Sequence, residues 1–240
     1  MDPRLGAHRR KWEKKAVLQA VYTDIYRRMA TSLVPGPTLE IGGGSGNLKA
    51  FAPQVLSTDL LVVPWLDAVA DAQALPFATS SFNNIVMFDV LHHIAQPRTF
   101  FTEAARVLRE GGRLVMVEPA ITPLSGIFYR FLHPEPVDFH VDPLAEQVDN
   151  PKRDAFEANQ AVPTLLFQKR RSEFQQAFPQ LKFCETSFLS LVVYPLSGGF
   201  RSWSLIPAGA VRSLLRLEDF LLPLLGPLMA FRMLVVLERT

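Results

Sequence analysis

Glycines alternate at positions 42, 44 and 46 in the run Leu39-Glu40-Ile41-Gly42-Gly43-Gly44-Ser45-Gly46-Asn47. That spacing lets a chain turn sharply where a strand hands over to a helix, and it leaves no Cβ between the backbone and a ligand lying across the strand end. Asp59, followed by Leu60, closes the next apolar run, where a carboxylate can accept both hydroxyls of a ribose placed over the switch point of a sheet. Asp71-Ala72-Gln73-Ala74-Leu75-Pro76-Phe77 then supplies a second acid and an apolar wall where an adenine would sit. The pattern is that of a nucleotide site, and the third glycine separates the options. A dinucleotide fingerprint, Gly-x-Gly-x-x-Gly/Ala, needs Gly or Ala at Asn47 or at Lys49, and a phosphate-binding P-loop needs Gly-Lys-Ser/Thr. Neither requirement is met.

A second set of polar residues falls near the ends of later apolar runs. Asp89 and Glu118 are placed to meet a substrate, although helix capping or loop anchoring explains them equally. His92 and His93 occupy a strand-to-helix corner, and of the two His93 is the candidate catalytic group alongside Asp89. His133, Asp138, His140 and Asp142 have metal-compatible side chains, but no tight ligand spacing repeats among them, so no metal is expected. The single cysteine, Cys184, excludes a disulfide framework and a cysteine-based zinc site and fits a reducing, cytoplasmic compartment.

These residues must be held by a scaffold. The 240 residues, 48% hydrophobic and 20% charged, suit one globular domain carrying insertions rather than a disordered chain. Residues 1–34 read as an N-terminal helical segment whose buried face is Val17, Val21, Ile25 and Met29, spaced four apart. After Pro35-Gly36-Pro37, short apolar runs at Thr38–Ile41, Gln54–Thr58, Asn83–Phe88 and Arg113–Glu118 predict buried parallel strands. Pro97–Arg109 predicts a helix stopped by Gly111-Gly112. The alternation gives an α/β, doubly wound sheet, with residues 38–119 as its ligand-binding half. Residues 120–163 read as an insertion, broken by Pro123, Pro134, Pro136, Pro143, Pro151 and Pro163 and carrying Phe128, Tyr129, Phe131 and Phe139. A helix over Leu165–Phe178, a strand over Phe183–Tyr194, a second insertion over 195–230 and a closing strand over Phe231–Glu238 complete the chain.

Lys plus Arg exceeds Asp plus Glu by 25 − 23 = 2, which gives no reason to expect a nucleic-acid partner. The basic N-terminal stretch reads as a solvated helix face, with an anionic membrane surface as the alternative. Phe220–Phe231 is too short for a span of about 20 residues. Its Pro223, Gly226 and Pro227 are expected to prevent one regular helix. That leaves a core segment, an interfacial helix helped by Arg212 and Arg216, or a lid over an apolar pocket.

Between Thr38 and Pro119 the sequence resembles the class I S-adenosylmethionine-dependent methyltransferases, in particular the type 11, UbiE-like group. The resemblance rests on the glycine run 39–46, Asp59, the segment 71–77, Met-Phe-Asp-Val-Leu-His-His-Ile at 87–94 and Glu-Ala-Ala-Arg-Val-Leu-Arg-Glu-Gly-Gly-Arg-Leu at 103–114. It implies a Rossmann-like, mostly parallel seven-stranded sheet and S-adenosyl-L-methionine as cofactor, with S-adenosyl-L-homocysteine as product. It also implies that Glu40, Gly42, Gly44 and Gly46 meet the methionine moiety and that Asp59 and Leu60 meet the ribose. Asp71 and the Ala72 N–H would meet the adenine, and Phe88 would lie beside the transferable methyl. The expected function is methyl transfer to a small-molecule or lipid-like acceptor held by the insertions. The competing expectation is a cofactor-binding or peripheral-membrane accessory protein without transfer. Because a sulfonium methyl is already activated, such an enzyme needs chiefly to hold the acceptor in line at about 3 Å, with a general base only where the acceptor must lose a proton.

Overall fold

A computed structural model describes residues 2–145 and 153–240. Pro151 lies outside them. Two helices, α1 (Pro3–Lys14) and α2 (Ala16–Thr31), precede β1 (Thr38–Ile41), a short α3 (Asn47–Phe51), β2 (Leu56–Asp59), β3 (Ala68–Val69) and β4 (Phe82–Phe88). They are followed by α4 (Pro97–Val107), β5 (Leu108–Pro119), α5 (Pro123–Phe131), α6 (Val162–Thr164), α7 (Arg171–Ala177), β6 (Leu181–Leu189), α8 (Val193–Ser197), α9 (Val211–Met229) and β7 (Arg232–Arg239).

The strands form one seven-stranded sheet in the order β3-β2-β1-β4-β5-β7-β6, in which β7 runs opposite to the other six. Consecutive strands leave β1 in opposite directions, β2 on one side and β4 on the other. The carboxyl edge between them is therefore the switch point at which a doubly wound sheet accepts a ligand. Strand alternation splits the core into two layers. Ile85, Met87, Leu114 and Met116 face α4 and α7 with Phe100, Phe101, Phe167 and Phe174. Val86, Val115 and Val117 face α2 with its buried Val17, Val21, Ile25 and Met29.

Several boundaries differ from the sequence expectation, each for a local reason. The N-terminal helix is two helices, because Lys15 leaves the helical region (φ −108°, ψ 89°) and donates its ammonium to the carbonyls of Gly199, Arg201 and Trp203. The helix from Pro97 ends at Val107, and Gly111, at φ +73°, turns the chain inside β5 instead of stopping the helix. The segment 165–178 is interrupted at Arg170, between a wide turn over Leu165–Lys169 and α7. β6 stops at Leu189, because Ser190 takes a left-handed φ of +55° and its carbonyl accepts from the Phe231 N–H at 2.8 Å.

The largest correction concerns the second insertion. Pro223 and Pro227 do not prevent a regular helix, and α9 runs unbroken for 19 residues. Spaced four apart, the two prolines remove successive hydrogen bonds from a single face, and both are exposed, so the freed carbonyls meet water. Gly226, between them in sequence, turns inward and is buried, and an added Cβ there would sit 3.1 Å from Phe188.

Candidate functional site

The carboxyl edge opens into a cavity of about 400 Å³. Its β1–β2 end is shaped by a glycine loop. Gly42, Gly44 and Gly46 adopt φ of +72°, +51° and +77°, a region that side-chain-bearing residues enter only at a cost. The turn is pinned by Gly43 N–H to the Thr58 carbonyl and by Gly46 N–H to the Gly43 carbonyl, both 2.8 Å. Asp59 locks the two loops together, accepting from the N–H of Gly44 and of Leu61, each at 2.9 Å. Burial raises its carboxyl above the usual range, and these N–H groups oppose the rise. A Cβ on Gly44 would meet nothing closer than 3.8 Å, so the loop opens onto free space there.

Gly42, Gly44, Asp59, Leu60, Asp71 and Ala72 all line the cavity, joined by Gln73. Asp71 accepts from the Gln73 N–H at 2.8 Å, and Gln73 in turn accepts from the Gln96 N–H at 2.7 Å. Three expected residues stand elsewhere. Glu40 is buried behind the loop against the Ser57 hydroxyl, and burial pushes it up to about 7. Gly46 caps α3 beneath Trp65 and Arg9. Phe88 is not at the cavity wall. Alternation along β4 turns it toward α2, where its ring packs 4.7 Å from Tyr22 and 5.8 Å from Tyr26.

The opposite end is built from side chains. Asp89, at a left-handed φ of +56°, and His93 both line the cavity. Asp89 pairs with buried Arg232 at 3.0 Å, and Arg232 also donates to Tyr129 and lies 4.2 Å over the ring of Tyr194. Burial raises the Asp89 carboxyl while Arg232 opposes the rise. Glu118 anchors the loop: it accepts from the N–H of Val90 and Leu91 at 2.9 and 2.8 Å, and it meets His92 Nδ1 at 2.7 Å. Burial pushes Glu118 up to about 7, His92 down to about 4 and His93 down to about 3, so both imidazoles are neutral near pH 7. Asp138 accepts from the His140 N–H, and Asp142 pairs with Arg170. His133 lies beside Glu135.

Residues the sequence did not single out complete the enclosure. Leu5 of α1 and the segment Arg153–Phe156 line the cavity. Arg4 joins them, pairing with Asp154 at 2.9 Å and lying 4.0 Å over the Phe156 ring. No motif marks this roof, because its halves are some 150 residues apart. No residue of α9 lines the cavity, so the apolar second insertion is not its lid.

Residues 39–116 match the family described as a methyltransferase domain. The chain matches that family over 78 of its 240 residues, about a third of its length. It is similar to the demethylmenaquinone methyltransferase of Renibacterium salmoninarum, 31% identical over 137 residues, a match covering 48% of this chain and 58% of that relative. It is also similar to a ubiquinone/menaquinone biosynthesis C-methyltransferase UbiE from Dinoroseobacter shibae, 33% identical over 93 residues, covering 39% and 35%. The matches thus span between about a third and three fifths of these relatives' length. In fold the chain resembles an S-adenosylmethionine-dependent methyltransferase from Thermotoga maritima, with TM-score 0.55, 13% identity and coverage of 96% and 94%. A second likeness is to one from Archaeoglobus fulgidus, with TM-score 0.54, 11% identity and coverage of 92% and 94%.

The residues present fit the family's cofactor. A glycine loop open at Gly44, a part-buried carboxylate at Asp59 and a second acid at Asp71 converge on one cavity large enough for a nucleoside and an amino-acid tail.

Proposed function

We propose that the protein transfers a methyl group from S-adenosylmethionine to carbon of an apolar-bodied, quinol-type acceptor. One observation carries the reading: a single cavity joins the glycine-loop β1–β2 end to a wall of Asp89, Val90, His93, Ile94 and Phe156. The activities of the Renibacterium and Dinoroseobacter relatives support carbon as the target and a quinone ring as its carrier.

In this reading Asp59 and Leu60 hold the ribose, Asp71 and the Ala72 N–H the adenine, and the loop at Gly42 and Gly44 the methionine moiety. The bound cofactor supplies an activated sulfonium methyl, so the protein's task is to orient the acceptor and exclude water. Leu5 and Phe156 shield the cavity. Asp89, fixed by Arg232, accepts a hydrogen bond from an acceptor hydroxyl. His93 is better suited to walling the pocket than to carrying a proton, because burial has lowered its affinity for one far below neutrality.

The acceptor reaches this cavity from a membrane surface. α5 packs on α9, and the pair exposes Leu124, Ile127, Phe131, Leu217, Phe220 and Leu224, with Arg130, Arg212 and Arg216 exposed on the same helices. An apolar face edged by arginine suits the interface of an anionic bilayer. Among the described residues no helix is long and apolar enough to cross one.

The test is an assay with labelled cofactor and a short-chain demethylated naphthoquinol, with product sites assigned by NMR. The expected product is methylated at ring carbon. Methylation of an amine or hydroxyl, with no carbon product from any quinol, would overturn the assignment. The Phe220→Ser/Leu224→Ser double variant should melt like the parent and no longer co-sediment with anionic vesicles, while its turnover of the water-dispersed quinol persists.

A further inference from the structure

Beside the acceptor end of the cavity, three nitrogen and oxygen donors converge from two distant stretches of chain. His92 and His93 occupy the single turn after β4, with ring centroids 4.3 Å apart. Glu135 follows α5 and brings its carboxylate to 3.7 Å from His92 Nε2. One ligand-type atom from each of the three residues falls within 4.8 Å of the others. We propose that His92, His93 and Glu135 form a binding site for a divalent first-row transition metal such as zinc, with its open coordination position toward the cavity.

The arrangement around these atoms is what a metal needs and a plain packing cluster does not. Glu118 meets His92 Nδ1 at 2.7 Å, which fixes the ring and leaves Nε2 3.7 Å from the Glu135 carboxylate. A carboxylate behind a ligating imidazole is the usual outer support of zinc-bound histidine. His93 Nδ1 is buried with no hydrogen-bond partner among the described residues, an expensive state for an imidazole nitrogen. Gln160 donates to the Glu135 carboxylate and orients it, and the neighbouring Asn159 N–H holds the His92 carbonyl at 2.9 Å. The insertion is thereby latched to the turn that carries the histidines.

Bond lengths of about 2.0–2.2 Å to zinc place tetrahedral ligand atoms roughly 3.4 Å from one another. The His92–Glu135 separation of 3.7 Å is already near that value. All three ligand-type atoms lie within 4.8 Å of one another. Two imidazoles and one carboxylate favour zinc, iron(II) or cobalt(II) over magnesium or calcium, which select oxygen-only sites. Three protein ligands leave a further position for water or an acceptor oxygen, and His93 is the ligand that lines the cavity. The site does not depend on which acceptor is methylated.

The test is titration of zinc, and separately of cobalt(II), into the chelator-treated full-length protein, followed by calorimetry and visible absorption. The expected result is one ion per chain, with cobalt giving the intense visible bands of a four-coordinate site. Glu135→Gln, which keeps the shape that Gln160 contacts, and His93→Gln should each weaken binding at least about tenfold. Their melting curves without metal should match the parent, and exposed His140→Gln should bind as the parent does. Absence of stoichiometric binding to the parent would overturn the site, as would affinity unchanged in both Glu135→Gln and His93→Gln.

Discussion

At the β1–β2 end of the cavity, the lining comes from one short stretch, Ile41 to Gln73, and combines the glycine loop with the carboxylates of Asp59 and Asp71. At the β4–β5 end the lining residues Asp89 and His93 are held by side chains from separate parts of the chain, Glu118, Glu135 and Arg232 among them. The first end depends on left-handed glycines and tolerates little change in backbone. The second depends on burial of charge, and removing one partner leaves another unpaired in a dry interior. A cofactor common to a family can be held by the first kind of construction. An acceptor peculiar to one member needs the second, where side chains can be exchanged without rebuilding the sheet.

The contrast is broken most severely at Arg232, whose side chain is 5% exposed against Asp89, Tyr129 and Tyr194. Arg232→Ala should lower the unfolding free energy by about 3–5 kcal/mol, the cost of stranding a buried charge. Urea denaturation followed by circular dichroism measures it, and a loss below about 1 kcal/mol would mean that this network does not hold the far end together.

The near end has its own buried acid. Glu40 sits at about 7 in the folded protein, against about 4.5 when exposed, so its contribution to stability is full below pH 4.5 and is lost as pH rises through 7. Glu40→Gln, which does not titrate, should therefore gain about 3 kcal/mol relative to the parent between pH 4 and 8. A stability difference that stays constant over that range would show that Glu40 titrates alike in the folded and unfolded chains.

The smallest effect concerns the roof. Arg4 is exposed, and its pairing with Asp154 over Phe156 spans the cavity mouth. Arg4→Ala should leave the melting temperature unchanged and appear only as faster release of S-adenosylhomocysteine in stopped-flow fluorescence. Unchanged release would mean that α1 does not gate the cavity.

The same contrast explains what could be read from sequence. Contiguous groups left a local mark: the alternate glycines, Asp59 and Asp71 are visible as a pattern because they follow one another within one short stretch of chain. The four buried positions of α2 and the order of the longer strands were legible through periodicity. The two-residue β3, the roof of α1 over 153–156 and the Arg232 network were not, because they exist only through long-range contacts. Phe88 shows the limit of a motif carried over by position, since the pleat of β4 sends its ring into the α2 layer. Pro223 and Pro227 show the limit of residue propensity, since exposure and a spacing of four let α9 continue through both.

The central claim, that the β1–β2 loops hold the cofactor through Asp59, is tested most directly by calorimetric titration of S-adenosylhomocysteine into the parent and Asp59→Ala proteins, with NAD as control ligand. The parent should bind S-adenosylhomocysteine and not NAD. Asp59→Ala should stay folded and lose roughly 1.5–3 kcal/mol of binding free energy, the range for a hydrogen bond to a charged group. Equal affinity in a folded Asp59→Ala protein, or binding of NAD as tight as that of S-adenosylhomocysteine, would contradict it.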